Sequence, residues 1–180
     1  MGKPSYDNRT GGPIHPRIPA DDNLERLVCD YCGFINYINP KIIVGAVCTW
    51  DEKFLLCKRS INPRKGYWTI PAGYMEERET TIEGAMREAM EEAYAVVEID
   101  SLLGVYSIPR ISQVQLIYRA RLVNPNVSPG PESEEVGLFP WSEIPWESIA
   151  FPSVRWALGH FREVEGKTNF APKSEGAMNL

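Results

Sequence analysis

Apolar and polar positions along this chain fall into three regimes. Residues 1–26 are rich in Gly, Pro, Asn and Asp and carry no periodic apolar pattern, which predicts a flexible lead-in. Residues 27–38 hold a short ribbon-like segment around Cys29-Asp30-Tyr31-Cys32-Gly33. From Lys41 the pattern becomes that of a folded domain. Lys41 to Trp50 is a β-branched run and predicts a buried strand. Asp51-Glu52 predicts a tight turn, with Phe54 to Arg59 returning as the hairpin partner. Tyr67 to Ile70 predicts a short strand that runs into the loop Pro71-Ala72-Gly73.

The period then changes from two to 3.6. Thr80 and Glu83 fit a capping box, which predicts a helix that starts after Thr80 and runs to about Ala93. Its apolar side would carry Ile82, Met86, Ala89, Met90 and Ala93, with the acidic side turned away from the core. Three more strands are predicted, Ala95–Ile99, Leu102–Ile108 and Val114–Val123. A loop rich in Pro, Asn and Glu follows over 124–135, then a strand Val136–Pro140. Ser153–Glu165 predicts a closing helix, with Val154, Trp156, Ala157, Leu158 and Phe161 as buried candidates. Residues 167–180 read as a disordered tail. This order predicts an α/β domain over 39–166, a mixed sheet with a helix on each side.

Charge changes the picture at one place. Glu76 to Glu92 holds seven Glu and two Arg, a balance of −5 that equals the net charge of the whole 180-residue chain. On a helix Glu88, Glu91 and Glu92 share a face by their i, i+3, i+4 spacing. Carboxylates so close repel unless a positive object sits between them, and a hard divalent cation prefers such oxygen ligands. On these three residues alone, a solvated acidic face is the favoured account of the pattern.

Elsewhere composition mainly excludes. Apolar and charged contents of 43% and 24% are those of a globular protein. The acidic balance argues against nucleic acid as a nonspecific partner. No apolar run approaches the roughly 20 residues that span a bilayer, so no membrane association is expected. Met1 to Tyr6 has no apolar secretory region, and a cytoplasmic location is expected. Disulfides are not expected there; Cys48 and Cys57 lie in apolar stretches and read as core residues. Cys29 and Cys32 are candidate zinc ligands, although a structural zinc site needs four. The matching upstream positions are Asp7 and Thr10, poor ligands both, with His15 the other candidate nearby. Without zinc, the segment is a degenerate ribbon that folds by packing alone. Gly166-Lys167-Thr168 is not a P-loop, because Phe161 stands where its first Gly belongs.

Gly73, then Glu79 after five residues, then Arg87-Glu88 after seven, then Glu91-Glu92, resembles the Nudix box, G-x5-E-x7-R-E-U-x-E-E-x-G-U. Six fixed letters at roughly 7% usage each coincide about once in ten million starts, which favours the box over a chance acidic face. Tyr94 stands at the box's last Gly, and Ala89 and Ala95 are small for its apolar slots. The resemblance implies a Nudix-type α/β/α sandwich and hydrolysis of a nucleoside diphosphate linked to another group. It implies Mg2+ (or Mn2+) held by Glu88, Glu91 and Glu92, with Glu79 and the Ala72 carbonyl assisting. Glu88 and Glu92 would act in catalysis with Arg87, which in the family pairs with a box carboxylate. Gly73 would supply backbone freedom beside the substrate. A further Glu from a loop is often recruited; Glu132, Glu134 and Glu135 are candidates, and Glu135 is favoured. Arg59 and Arg64 are candidates for binding substrate phosphate or base, surface charge being the other reading.

The ribbon, Asn39-Pro40-Lys41 and the box together look like the branch related to NADH pyrophosphatase. That enzyme's S-Q-P-W-P-F-P-x-S signature is absent, since Val114-Gln115-Leu116 follows Ser112-Gln113. The chain is more similar to ribbon-bearing Nudix hydrolases that cleave FAD or ADP-ribose with release of AMP. NADH or NAD pyrophosphatase activity, or a nucleotide-sensing module without catalysis, are the alternatives. The implied partner is a small-molecule nucleotide, and a homodimer is compatible with the family.

Overall fold

The computed structural model describes residues 12–176. The chain divides into two compact units at the Asn39–Pro40 junction. In the first unit β1 (Pro13–Arg17), β2 (Arg26–Cys29) and β3 (Ile35–Asn36) form an antiparallel sheet in the order β1-β2-β3. Part of the expected lead-in is therefore a strand. The physical reason is local. Asp22 accepts N–H bonds from Asn23 and Leu24 and binds Arg26 Nε at 2.8 Å, which turns the chain and lays β1 against β2. Gly33, at φ 73°, closes the turn after Cys29 by donating its N–H to the Cys29 carbonyl (2.9 Å).

The second unit is built on β4 (Lys41–Trp50), β5 (Lys53–Arg59), β6 (Trp68–Thr69), β7 (Ala72–Tyr74), α1 (Thr81–Ala93), β8 (Val97–Ile108), β9 (Gln113–Leu122), β10 (Ser133–Pro140), α2 (Pro152–Val164) and β11 (Lys173–Gly176). Its mixed sheet runs β10-β5-β4-β9-β8-β11, with β6 on β5 and β7 on β4. Asp51 and Glu52 both take positive φ, the primed turn that suits a two-residue hairpin between β4 and β5. The two expected strands between Ala95 and Ile108 are one, β8, whose irregularities at Ile99–Ser101 and Leu102–Gly104 keep it on β9. The loop expected at Pro71-Ala72-Gly73 pairs instead with β4, Ala72 opposite Gly45. Residues 173–176, inside the expected tail, pair in parallel with β8; Lys173 binds Glu163 of α2, which fastens this strand.

The strands alternate between two cores. Val44, Ala46, Cys48, Leu55 and Cys57 pack under α1 with Ala85, Ala89 and Ala93. Val47, Phe54, Leu56, Leu103 and Tyr106 pack under α2 with Val154, Ala157, Leu158 and Phe161. The sheet is thus sandwiched between its helices, as expected.

The inward face of α1 differs from the reading of its period. Gly84, Ala85, Glu88, Ala89, Glu92 and Ala93 are buried. Ile82, Met86 and Met90 are 39–45% exposed. Small residues let the helix lie close on β4, and that closeness leaves no room for the bulky ones. Two of the glutamates therefore face the sheet rather than solvent.

Candidate active site

The capping box sets the start of α1. Thr80 Oγ1 accepts the Glu83 N–H (3.2 Å) and Glu83 accepts the Thr80 N–H (2.7 Å). This register turns Glu88 and Glu92 inward, one helical turn apart, toward the β7 segment. A Cβ on Gly73 would overlap the Glu88 carboxyl, so a side chain there would displace that carboxyl. Its φ is not positive; the backbone freedom expected of Gly73 is not what it supplies.

Arg87 is the hub of the acidic cluster. Its guanidinium donates to Glu79 through Nε (2.9 Å) and Nη2 (2.8 Å), to Glu88 (2.7 Å) and Glu91 (2.9 Å) through Nη1, and to the Tyr74 carbonyl (3.0 Å). Hydrogen bonding to Arg87 holds the Glu79 carboxyl down to about 2. Glu91 is largely exposed. Glu88 and Glu92 are buried, and burial raises both. For Glu92, burial and then the neighbouring Glu88 push the carboxyl up to about 8, against Arg59 and the backbone N–H of Ala72. Ala72 thus meets Glu92 through its backbone N–H.

Among the loop acids, Glu132 bears on Glu88 and Glu92 by charge. The favoured Glu135 does not come to the box; it lies on β10 with its carboxylate on the Lys58 ammonium (3.3 Å). Glu134 pairs with Lys65 (3.6 Å). Spacing along the loop gave no sign of this; the difference comes from Ser60, whose N–H donates to the Glu132 carbonyl (2.9 Å) and whose Oγ donates to the Pro131 carbonyl (3.3 Å). Arg59 is fixed beside the site by its Nε on the Pro63 carbonyl (2.9 Å) and by the face of Phe151, 5.3 Å away. Arg64 lies over Tyr67, 5.3 Å away. Phe151, Pro63 and Ser60 carried no signal in the sequence that linked them to the box.

The NUDIX domain family matches residues 39–157, well over half of the chain. The chain belongs to the Nudix hydrolase family. A zinc-ribbon family described as Nudix N-terminal matches residues 9–38. A Methanocaldococcus jannaschii protein named ADP-ribose pyrophosphatase is 31% identical over 132 residues, 68% of this chain and 78% of that protein. The crystal structure of a Nudix hydrolase from Nitrosomonas europaea is similar at 46% identity and a TM-score of 0.86, covering 95% of this chain and 97% of the other. A Streptomyces ambofaciens MutT-like protein is 35% identical over 79 residues, 44% of this chain and 49% of that protein.

The family implies a divalent cation, and the donor chemistry of this Nudix hydrolase fits one. Glu92 Oε2 is buried with no hydrogen-bond partner, a deficit of about 1–3 kcal/mol that a cation would relieve. As folded, Arg87 rather than a common centre draws Glu88 and Glu91 together, and among the described residues no three acidic, His or Cys groups already stand as a metal cage. The ribbon is less complete. Backbone N–H groups of Cys32 and Tyr31, then the Cys32 thiol and the Gly12 N–H, point at the Cys29 sulfur and bring it down to about 7. Cys29 is buried and Cys32 exposed. His15 lies against Asp30 (3.1 Å). The described residues thus offer two of zinc's four ligands, and Asp7 and Thr10 lie outside the described residues.

No helix among the described residues is long and apolar enough to cross a membrane.

Proposed function

We propose that this chain hydrolyses the diphosphate bridge of an ADP-linked sugar or dinucleotide, with ADP-ribose and FAD as the first candidates, and releases AMP in a Mg2+- or Mn2+-dependent reaction. The observation that carries this reading is the buried pair Glu88–Glu92, with one Glu92 oxygen left unpartnered beside Arg59 and Glu132. ADP-ribose is favoured by the name of the M. jannaschii relative.

Glu92 and Glu88 would hold the cation, with Glu91 completing the set once it leaves Arg87. The bound ion supplies neutralisation of diphosphate charge and acidification of water. Arg59, held by Pro63 and Phe151, is placed to pair with a substrate phosphate. Arg87 orients the box carboxylates. Glu132 enters from its loop as the carboxylate that orients or deprotonates water. Arg64 and Tyr67, stacked on the loop after β5, offer a cationic and an aromatic surface for the remote part of the substrate.

The test is AMP release from ADP-ribose, FAD and NADH with Mg2+ or Mn2+, for wild type and Glu92→Gln. AMP from the first two, lost in the variant, is expected. No AMP from any of the three removes the proposal, and AMP from NADH alone moves it to the NADH pyrophosphatase reading.

A further inference from the structure

The loop after β9 is bonded to the last turn of α1 through backbone groups. Ser128 N–H donates to the Ala93 carbonyl (3.0 Å) and Gly130 N–H to the Glu92 carbonyl (3.0 Å). Gly130 is buried, and a Cβ there would overlap the Glu91 carbonyl oxygen, with the Glu91 carbonyl carbon at 2.8 Å. These obstacles are helix backbone, which does not rotate away as a side chain would. Two residues on, Glu132 is tied by its own carbonyl to Ser60, and Ser133 N–H returns to the Gly130 carbonyl (3.0 Å). The Glu132 backbone is therefore held between two anchors, one on the helix that carries Glu88 and Glu92 and one at the end of β5.

We infer that Gly130 is a positioning residue for the reaction: by letting the loop touch the end of α1, it sets the place of Glu132 against Glu88 and Glu92. The inference rests on the role given to Glu132 above. A side chain at 130 would lift the loop off the helix, and a misplacement of about 1 Å in an active site can cost about 100-fold in rate.

The experiment compares Gly130→Ala, Glu132→Gln and the double variant. Gly130→Ala should lower kcat by about 100-fold while KM changes by less than about threefold. In the Glu132→Gln background the same change should cost less than about twofold. An equal loss in both backgrounds, or wild-type kcat in Gly130→Ala, overturns the inference. An extra glycine inserted between Gly130 and Pro131 keeps the helix contact and lengthens the tether, so it serves if Gly130→Ala does not fold. It should keep the wild-type Tm and lose kcat as Glu132→Gln does; unchanged kcat overturns the inference. A crystal structure of either variant reads placement without activity: Glu132 shifted relative to Glu92 supports the inference, and Glu132 unmoved overturns it. A wild type that releases no AMP sinks the proposed reaction alone.

Discussion

Arg87 grips Glu79 as a fork, Nε on one carboxylate oxygen and Nη2 on the other. The Glu76 N–H adds a third bond to Glu79 at 2.7 Å. Both oxygens of Glu79 are thereby engaged, a geometry that suits it to aiming Arg87. Arg87 in turn fixes Glu88 and Glu91. A lysine cannot reproduce the planar fork. Arg87→Lys is expected to lower kcat by about 10- to 100-fold. Glu79→Gln should do the same, because the amide keeps one acceptor and loses the charge. Neither should weaken Mn2+ binding as much as Glu92→Gln does. Titrating the three variants with Mn2+ beside kcat measurements checks this; the idea fails if Glu79→Gln abolishes Mn2+ binding while Glu92→Gln spares it.

Glu92 gives the molecule a pH dependence of defined sign. Its carboxyl titrates at about 8 when folded and at the ordinary 4.5 when unfolded. Between those values the unfolded chain has lost a proton that the folded chain keeps, so stability falls as pH rises, by up to about 1.4 kcal/mol per pH unit. Its contribution is complete below about pH 4.5 and gone above about pH 8. In EDTA, wild type should lose more Tm between pH 6 and pH 8.5 than Glu92→Gln does. Mg2+ should restore the loss, since it binds the ionised carboxylate, and should displace about one proton at pH 7. Calorimetry in buffers of different ionisation enthalpy measures that proton. Equal Tm slopes for the two proteins would refute the assignment.

Glu132 and Glu135 are three residues apart and sit in different surroundings. Glu135 rests on Lys58 at the surface, an exposed pair worth less than about 1 kcal/mol. Glu132 bears on the buried carboxylates Glu88 and Glu92 by charge. Glu132→Gln is expected to lower kcat by about 100-fold or more, whereas Glu135→Gln should stay within about twofold of wild type. A steady-state comparison on one substrate decides it, and a reversed order would return the role to Glu135.

The start and stop of α1 could be read from the chain because each is written in local residues, Thr80 with Glu83 at one end and the box pattern at the other. The β4–β5 hairpin was readable for the same reason, its turn lying wholly in Asp51 and Glu52. Which face of α1 turns inward was not. Hydrophobic period favoured Ile82, Met86 and Met90, yet the helix approaches β4 through Gly84, Ala85 and Ala89 because only small residues permit the distance. The placement of the Glu132 backbone depends on a bond from Ser60, 72 positions away, and nothing in the loop's own spacing encodes it. Strand β11 lay hidden in a polar tail for a similar cause: its pairing belongs to the open edge of β8 rather than to its own composition. Local rules thus gave the elements and the box, while close approach and long-range bonds completed the site.

Tyr94 brings the last prediction. It stands where the box pattern has glycine, and the helix end is not reshaped to suit it. Tyr94 takes the left-handed conformation, φ 46° and ψ 33°, and its N–H reaches the Ala89 and Met90 carbonyls. Ala95 N–H also returns to Ala89 (3.1 Å). A side chain in that conformation costs about 1–2 kcal/mol. Glycine removes the cost but gives back about 0.5–1 kcal/mol through the freedom of the unfolded chain. Tyr94 is 52% exposed, so little packing is lost with its side chain. Tyr94→Gly should therefore raise stability by up to about 1 kcal/mol, or about 2–4 °C in Tm for a chain of this size. Its rate should match wild type, because Glu92 is placed by the body of the helix and the cap geometry is the same in both proteins. Thermal melts beside kcat test the pair of expectations. A large change in kcat at constant Tm would mean that the tyrosine ring itself, rather than the cap, acts on the site.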